Sequence, residues 1–205
     1  IVASGFPGMR DLPARALRFQ LDSYLHNAVD RDVPDQGLAV RRPEAMLAWL
    51  RAYAAASATT ASYSQILDAA TPGQSDKPAR STSVAYRDAL AGIWLLDPVP
   101  AWVPVGSGLT RLGQTPKHHL ADPALAARLL DLAPGSLLGG ENESSGSRAG
   151  GMLGRLFESL VTLCVRVPAQ AAEASVSHLR TRNGDHEIDL VLARGDGRAL
   201  AIEVK

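Results

Sequence analysis

Residues 187–205 read EIDLVLARGDGRALAIEVK, two β-prone runs on either side of Arg-Gly-Asp-Gly. That pattern predicts a β-hairpin with strands over 187–193 and 199–205. Side chains alternate across a strand, so Glu187 and Asp189 share one face, and Glu203 and Lys205 share one face while Ile202 and Val204 take the other. A register that sets Asp189 opposite Glu203 brings two carboxylates together with a lysine beside them. Two acids that close repel, and a hard divalent cation such as Mg²⁺ or Mn²⁺ relieves the repulsion. A lysine next to such an ion orients a water and offsets charge developing on a phosphate. The set therefore suits phosphodiester hydrolysis. The competing reading is a surface ion pair, contributing about 0–1 kcal/mol.

Upstream of the hairpin, residues 175–182 form a further strand candidate, joined to it through Asn-Gly-Asp. Before that strand, MLGRLFESLVTLCVRV places Leu153, Leu156, Phe157, Leu160, Val161 and Cys164 at helical spacing. This apolar stripe predicts packing against the sheet, with Cys164 as an inert core residue. Glu158 lies beside the stripe, and Glu187 reads as an exposed charge. The Gly/Ser-rich run GGENESSGSRAGG at 139–151 reads as a flexible loop.

Toward the N-terminus, Leu17, Leu21, Leu25 and Ala28 predict an amphipathic helix over 12–33 that Pro34 stops, and Pro43 opens a second helix. A short helix at 63–70, a turn, a longer helix near Ser81 with Ser81, Thr82 and Ser83 as N-cap candidates, and the proline-rich LLDPVPAWVPVG follow. This is the order of a winged helix-turn-helix. The expected class is α+β (α/β): a helical segment over 1–56, a winged-helix-like module over 57–138, and a mixed sheet with flanking helices over 139–205.

Composition sets limits on function. The 205 residues are 46% hydrophobic and 20% charged, with 21 basic and 21 acidic side chains, so net charge argues neither for nor against a polyanionic partner. One cysteine permits no intramolecular disulfide, and a cytoplasmic location is expected. No apolar run approaches the roughly 20 residues of a bilayer span, so no membrane partner is expected. Lys77, Arg80 and Arg87 are the residues a recognition helix would turn toward DNA, and His178, Arg180 and Arg182 alternate onto one strand face that fits phosphate. Residues 57–120 carry five Lys/Arg against four Asp, a thin basic balance for DNA, so docking to a protein partner competes with that reading. Lys117, His118, His119 and Asp122 invite a metal reading, but adjacent histidines on a strand face opposite ways and the structural reading is preferred.

An Asp, a spacer and Glu-x-Lys on adjacent strands resemble the PD-(D/E)XK nuclease superfold. The resemblance implies a restriction-endonuclease-like fold with Asp189 and Glu203 as metal ligands, Lys205 as the catalytic lysine and Glu158 from the preceding helix as an auxiliary acid. His186 and Glu187 stand where that pattern has proline and aspartate. The succession GFPG (5–8), RDVP (31–34), Lys117-x-x-Leu120-x-Asp122, LFE (156–158) and IEVK (202–205) resembles the C-terminal region of a prokaryotic AAA-type P-loop ATPase family, over nearly the whole chain. The resemblance implies that ATP binds in a preceding domain, because the chain holds no GxxxxGK[ST]. Starting at Ile1 and ending at Lys205 within a predicted strand, the sequence is expected to be part of a longer polypeptide. The function this implies is DNA binding with Mg²⁺-dependent cleavage. A non-catalytic module docking to the ATPase or a protein partner is the alternative.

Overall fold

The structure, a computed structural model, describes residues 1–73, 79–103, 115–138, 146–181 and 186–205. It is an α+β fold, helices followed by a three-stranded antiparallel sheet. Helix α1 (Ala14–Asn27) buries Leu17, Leu21 and Leu25 as their spacing predicts. The chain then widens into a π-helical turn at Ala28–Asp32 and resumes as α2 (Val33–Asp35). Pro34 does not stop the run. It sits in the first turn of α2, where a missing N–H costs little, and the helix ends at Gln36 and at Gly37, whose φ is +90°.

Helix α3 (Pro43–Ala55) is the centre of the core, with Met46, Trp49, Leu50 and Tyr53 all fully buried. The short α4 (Tyr63–Ala70) starts with a capping box between Ser62 and Gln65. Next comes α5 (Arg80–Gly92), which opens at Ala79 with no side-chain cap. Ser83 has a different task from the capping expected of it: it is buried and accepts the Trp49 indole N–H at 2.7 Å. Helices α6 (Pro123–Leu129) and α7 (Pro134–Leu138) complete this part. The Asp122 carboxylate caps α6 through the Ala124 N–H and also accepts from the Ser4 hydroxyl and the Gly5 N–H, each at 2.7 Å. The Lys-x-x-Leu-x-Asp element thereby anchors the Gly5–Gly8 segment. A single core cluster runs from Met9 to Leu156.

Between α5 and α6 the chain is extended twice. Leu96 pairs with Leu120, Val99 with Lys117, and Ala101 with His178 of the sheet. Pro98 and Pro100 lack the N–H groups a continuous ladder needs, which keeps these contacts isolated bridges. The bridges nonetheless join the helical part to the sheet edge.

Helix α8 (Gly146–Ala171) begins inside the Gly/Ser-rich run and continues past Pro168. Strands β1 (Ala174–Arg180), β2 (Glu187–Arg194) and β3 (Ala199–Ile202) pair in that order. The turn expected between β2 and β3 is present, with Gly197 at φ +86°. The stripe on α8 is not sealed as expected. Phe157 is 41% exposed, Cys164 is exposed, and both line an open groove of about 610 Å³ with Leu192, Leu200 and Ile202 of the sheet across it. Among the described residues no helix is long and apolar enough to cross a membrane.

Candidate functional site

Lys117 is where the two ends of the fold meet. Its backbone N–H and C=O both bond to Val99 at 2.9 Å, which fixes the direction of its side chain. The side chain is fully buried, and its Nζ lies 2.8 Å from Glu158 Oε1, 3.0 Å from Glu187 Oε1 and 3.1 Å from Asp189 Oδ1. An ammonium has three N–H groups and no acceptor, so one lysine can face three carboxylates at once. Lys117 Nζ donates a hydrogen bond to Asp189 Oδ1. The acids are more open than the lysine: Glu158 is 13%, Asp189 14% and Glu187 37% exposed.

The sequence places these acids by simple rules. Glu187 and Asp189 share a face of β2 because they are two apart. Glu158 reaches them because the face of α8 it occupies is the one turned to the 95–103 and 115–121 segments. On that face the Ser159 hydroxyl bonds His119 Nδ1 at 2.8 Å, and Arg166 pairs with Asp97 at 2.9 Å and donates to the Pro98 carbonyl. Asp189 is held from a second side, its Oδ2 accepting the Val204 N–H at 2.9 Å.

Electrostatics follow the imbalance of one ammonium among three carboxylates. Burial lowers the Lys117 pKa, but Glu158, Glu187 and Asp189 outweigh it and leave the pKa raised, so the lysine stays charged. Burial pushes Glu158 up to about 6, opposed by Lys117 and reinforced by the charges of Asp189 and Glu187. His119 is pushed down to about 3 by burial and then by Lys117, Arg166, His118 and His178. His118 and His178 are lowered too, burial again leading. Burial thus favours the neutral form of all three histidines, and His118 Nδ1, His119 Nε2 and His178 Nδ1 are buried without partners.

The structure brings together two of the predicted site residues, Glu158 and Asp189. The pairing of Leu190 with Ile202, taken one step further, sets Asp189 across from Glu203 as the hairpin reading requires. Glu203 and Lys205 lie beyond the end of β3, both exposed, and outside the Lys117 cluster. Glu187 is exposed, as read from the sequence, and its Oε1 also joins the cluster. Among the DNA candidates, Arg80 is exposed, Arg87 pairs with Asp88 and stacks on Tyr63, and Arg180 bonds Thr60. Lys77 and Arg182 lie outside the described residues. His118 and His119 turn opposite ways, one to the Ala61 carbonyl and the other to Ser159, as strand alternation predicts.

Lys117 itself was missed as a centre. A signal existed: only three of the 21 basic residues are lysines, and Lys117 is the one flanked by strand-forming histidines and a leucine. Hard carboxylate oxygens are the donors Mg²⁺ and Mn²⁺ prefer, so the residue types fit a hard cation. Their spacing is that of an ammonium, and among the described residues no group of three or more His, Cys, Asp or Glu is drawn together as a metal site.

A family model described as domain of unknown function (DUF8612) matches residues 1–136, about two thirds of the chain. The chain belongs to the DUF8612 family. Residues 153–205 are similar to a second family, domain of unknown function (DUF4143), a domain often associated with AAA ATPases. No curated protein and no solved structure matches the chain. The Lys117 cluster crosses between the two matched segments: the DUF8612 segment supplies the lysine, and the DUF4143-like segment supplies all three acids.

Proposed function

We propose that this DUF8612 chain serves as the C-terminal part of an AAA-type ATP-binding protein, in which residues 139–205 adopt a PD-(D/E)XK nuclease-like fold, contact DNA and hold Mg²⁺ or Mn²⁺ for phosphodiester cleavage. The observation that carries this reading is the convergence of Glu158 from α8 with Asp189 from β2 on a single cation, with Glu203 in register across the hairpin. Asp189 and Glu203 are the metal ligands, Lys205 is the catalytic lysine beside the water, and Glu158 is the auxiliary acid. When bound, the metal supplies charge neutralisation at the phosphate and lowers the pKa of its water. Arg180 with Arg80 and Arg87 would meet the phosphate backbone.

A second reading is favoured by one specific observation: the cation at the centre of the acids belongs to the chain itself. In that reading the cluster is an ion-pair joint and the chain is a non-catalytic module docking to the ATPase or a protein partner. Incubating the full-length protein with labelled single- and double-stranded DNA and Mn²⁺ separates the two. The first reading predicts cleavage that Asp189→Asn and Glu203→Gln abolish and Lys205→Ala reduces at least about a hundredfold. Intact DNA under conditions where Mn²⁺ is bound would leave only the second.

A further inference from the structure

Several arginines of the chain are matched to an acid: Arg87 to Asp88, Arg128 to Asp22 and Asp131, and Arg194 and Arg198 to Asp196. Arg155 of α8 and Arg180 of β1 are not. Both line an open cleft of about 500 Å³ beside the link between α3 and α4, and among the described residues that line it none is acidic. Glu187 stands opposite Arg180 in the β1–β2 register, but its carboxylate goes to Lys117 and does not line the cleft. Arg180 Nη1 donates to the Thr60 hydroxyl at 3.0 Å, which uses one of its five N–H groups. The Arg155 guanidinium has no hydrogen-bond or ion-pair partner among the described residues.

We infer that this cleft binds phosphate, with Arg155 and Arg180 clamping an internucleotide phosphate of a nucleic-acid strand. The nucleic-acid source rests on the DNA contact proposed above; the anion chemistry does not. The free side-chain groups of the lining are donors. Gln65 Oε1 is taken by the N–H and hydroxyl of Ser62 in the capping box of α4, which leaves the amide NH₂. The Thr60 oxygen already accepts from Arg180 and keeps its O–H to give, while the Thr59 hydroxyl is engaged by Ala56 and Ala61. A lining that only donates fits an acceptor-rich anion, and a planar guanidinium can grip two phosphate oxygens at once.

Shape and rigidity agree with the chemistry. Five alanines make up much of the remaining wall, so no long side chain fills the space. The loop that presents Thr60 is pinned on both sides: the Ala58 N–H donates to the His118 carbonyl at 2.8 Å, and the His118 N–H donates to the Thr59 carbonyl at 2.9 Å. The donors are in place before a ligand arrives, which lowers the ordering cost of binding. Neither matched segment holds the site alone, since Thr60 and Gln65 come from the DUF8612 segment and the two arginines from the DUF4143-like one.

Fluorescence anisotropy of the full-length protein with labelled single- and double-stranded DNA tests the inference. Arg155→Gln and Arg180→Gln should each weaken binding about tenfold and lower the slope of log affinity against log salt by about one. Arg194→Gln, outside the cleft, should leave both near wild type. Arg155 and Arg180 are exposed, so these variants keep the fold. In parallel, phenylglyoxal modification of the wild type, read by mass spectrometry, should be suppressed at Arg155 and Arg180, and not at Arg194, as inorganic phosphate is added. DNA that binds both variants as tightly as wild type would overturn the cleft and leave the DNA contact to other residues. Protection by phosphate in a protein that binds no DNA would uphold the anion site and overturn its nucleic-acid source. With neither protection nor an effect of the substitutions, the inference fails outright.

Discussion

In the helical part, Trp49, Leu50 and Tyr53 are each at most 1% exposed, whereas around the sheet Phe157, Val167 and Leu200 are 41%, 70% and 57% exposed. Both regions have enough apolar surface to form a core. They differ in how that surface is used. Helix α3 closes on α5 through aromatic packing, with Trp49 stacked on Tyr53 and edge-on to Tyr86. Helix α8 turns its polar side inward: Ser159 and Thr162 are buried, Glu158 and Arg166 pair across to Lys117 and Asp97, and of the apolar stripe Leu156 joins the core while Phe157, Leu160, Val161 and Cys164 are left lining the groove. The helical region is held by burial, and the sheet region adds charge and hydrogen bonds to the burial of Leu156 in that same core. Attachments of the second kind depend on pH and on competing ions, which burial does not.

Three changes would sharpen or break this contrast. The largest effect belongs to the helical core: Trp49→Ala should cost about 3–5 kcal/mol by chemical denaturation, since it removes a fully buried ring and orphans Ser83. Acid comes next. With its folded pKa near 3, His119 contributes stability that is fully present above its ordinary value near 6.5 and is lost as pH falls toward 3. His118 and His178, also lowered, act in the same direction. Glu158 has a folded pKa near 6 and opposes them in part as it protonates. The net expectation is a loss of a few kcal/mol between pH 7 and pH 4, with a shallower slope in His119→Gln. The smallest effect lies in the groove. Leu200→Ala should change stability by less than about 0.5 kcal/mol, because a side chain 57% exposed has little burial to lose. A loss near that of Trp49→Ala would mean that the groove face is covered in solution.

Much of the architecture was legible in the sequence because it follows local rules. The periods of 3.6 and 2 gave α1, α3, α4 and the three strands, and the Gly-containing turn gave the hairpin, while its register, left open by the sequence, is the one in which Leu190 pairs with Ile202. Chemistry within one element was legible too, such as the opposite facing of His118 and His119. What could not be read was tertiary. An apolar stripe reports that a helix has a face to bury, not whether anything covers it, so Cys164 was expected inside and is exposed. Lys117 and Asp189 are 72 residues apart, and their meeting depends on an isolated bridge that proline-rich sequence disguises. Pro34 misled for a local reason: a π-helical turn just before it restarts the helix, and a proline at a restart is harmless.

The central claim is that a lysine from the DUF8612 segment and acids from the DUF4143-like segment form one electrostatic unit. A double-mutant cycle on unfolding free energy tests it most directly, using Lys117→Met, Asp189→Asn and the pair at pH 7 in EDTA. Strong coupling is predicted: Lys117→Met alone should cost about 3 kcal/mol by leaving buried acids unpaired, and adding Asp189→Asn should recover more than about 1 kcal/mol of the sum of the two single losses. Single losses that add to within about 0.3 kcal/mol would contradict the account.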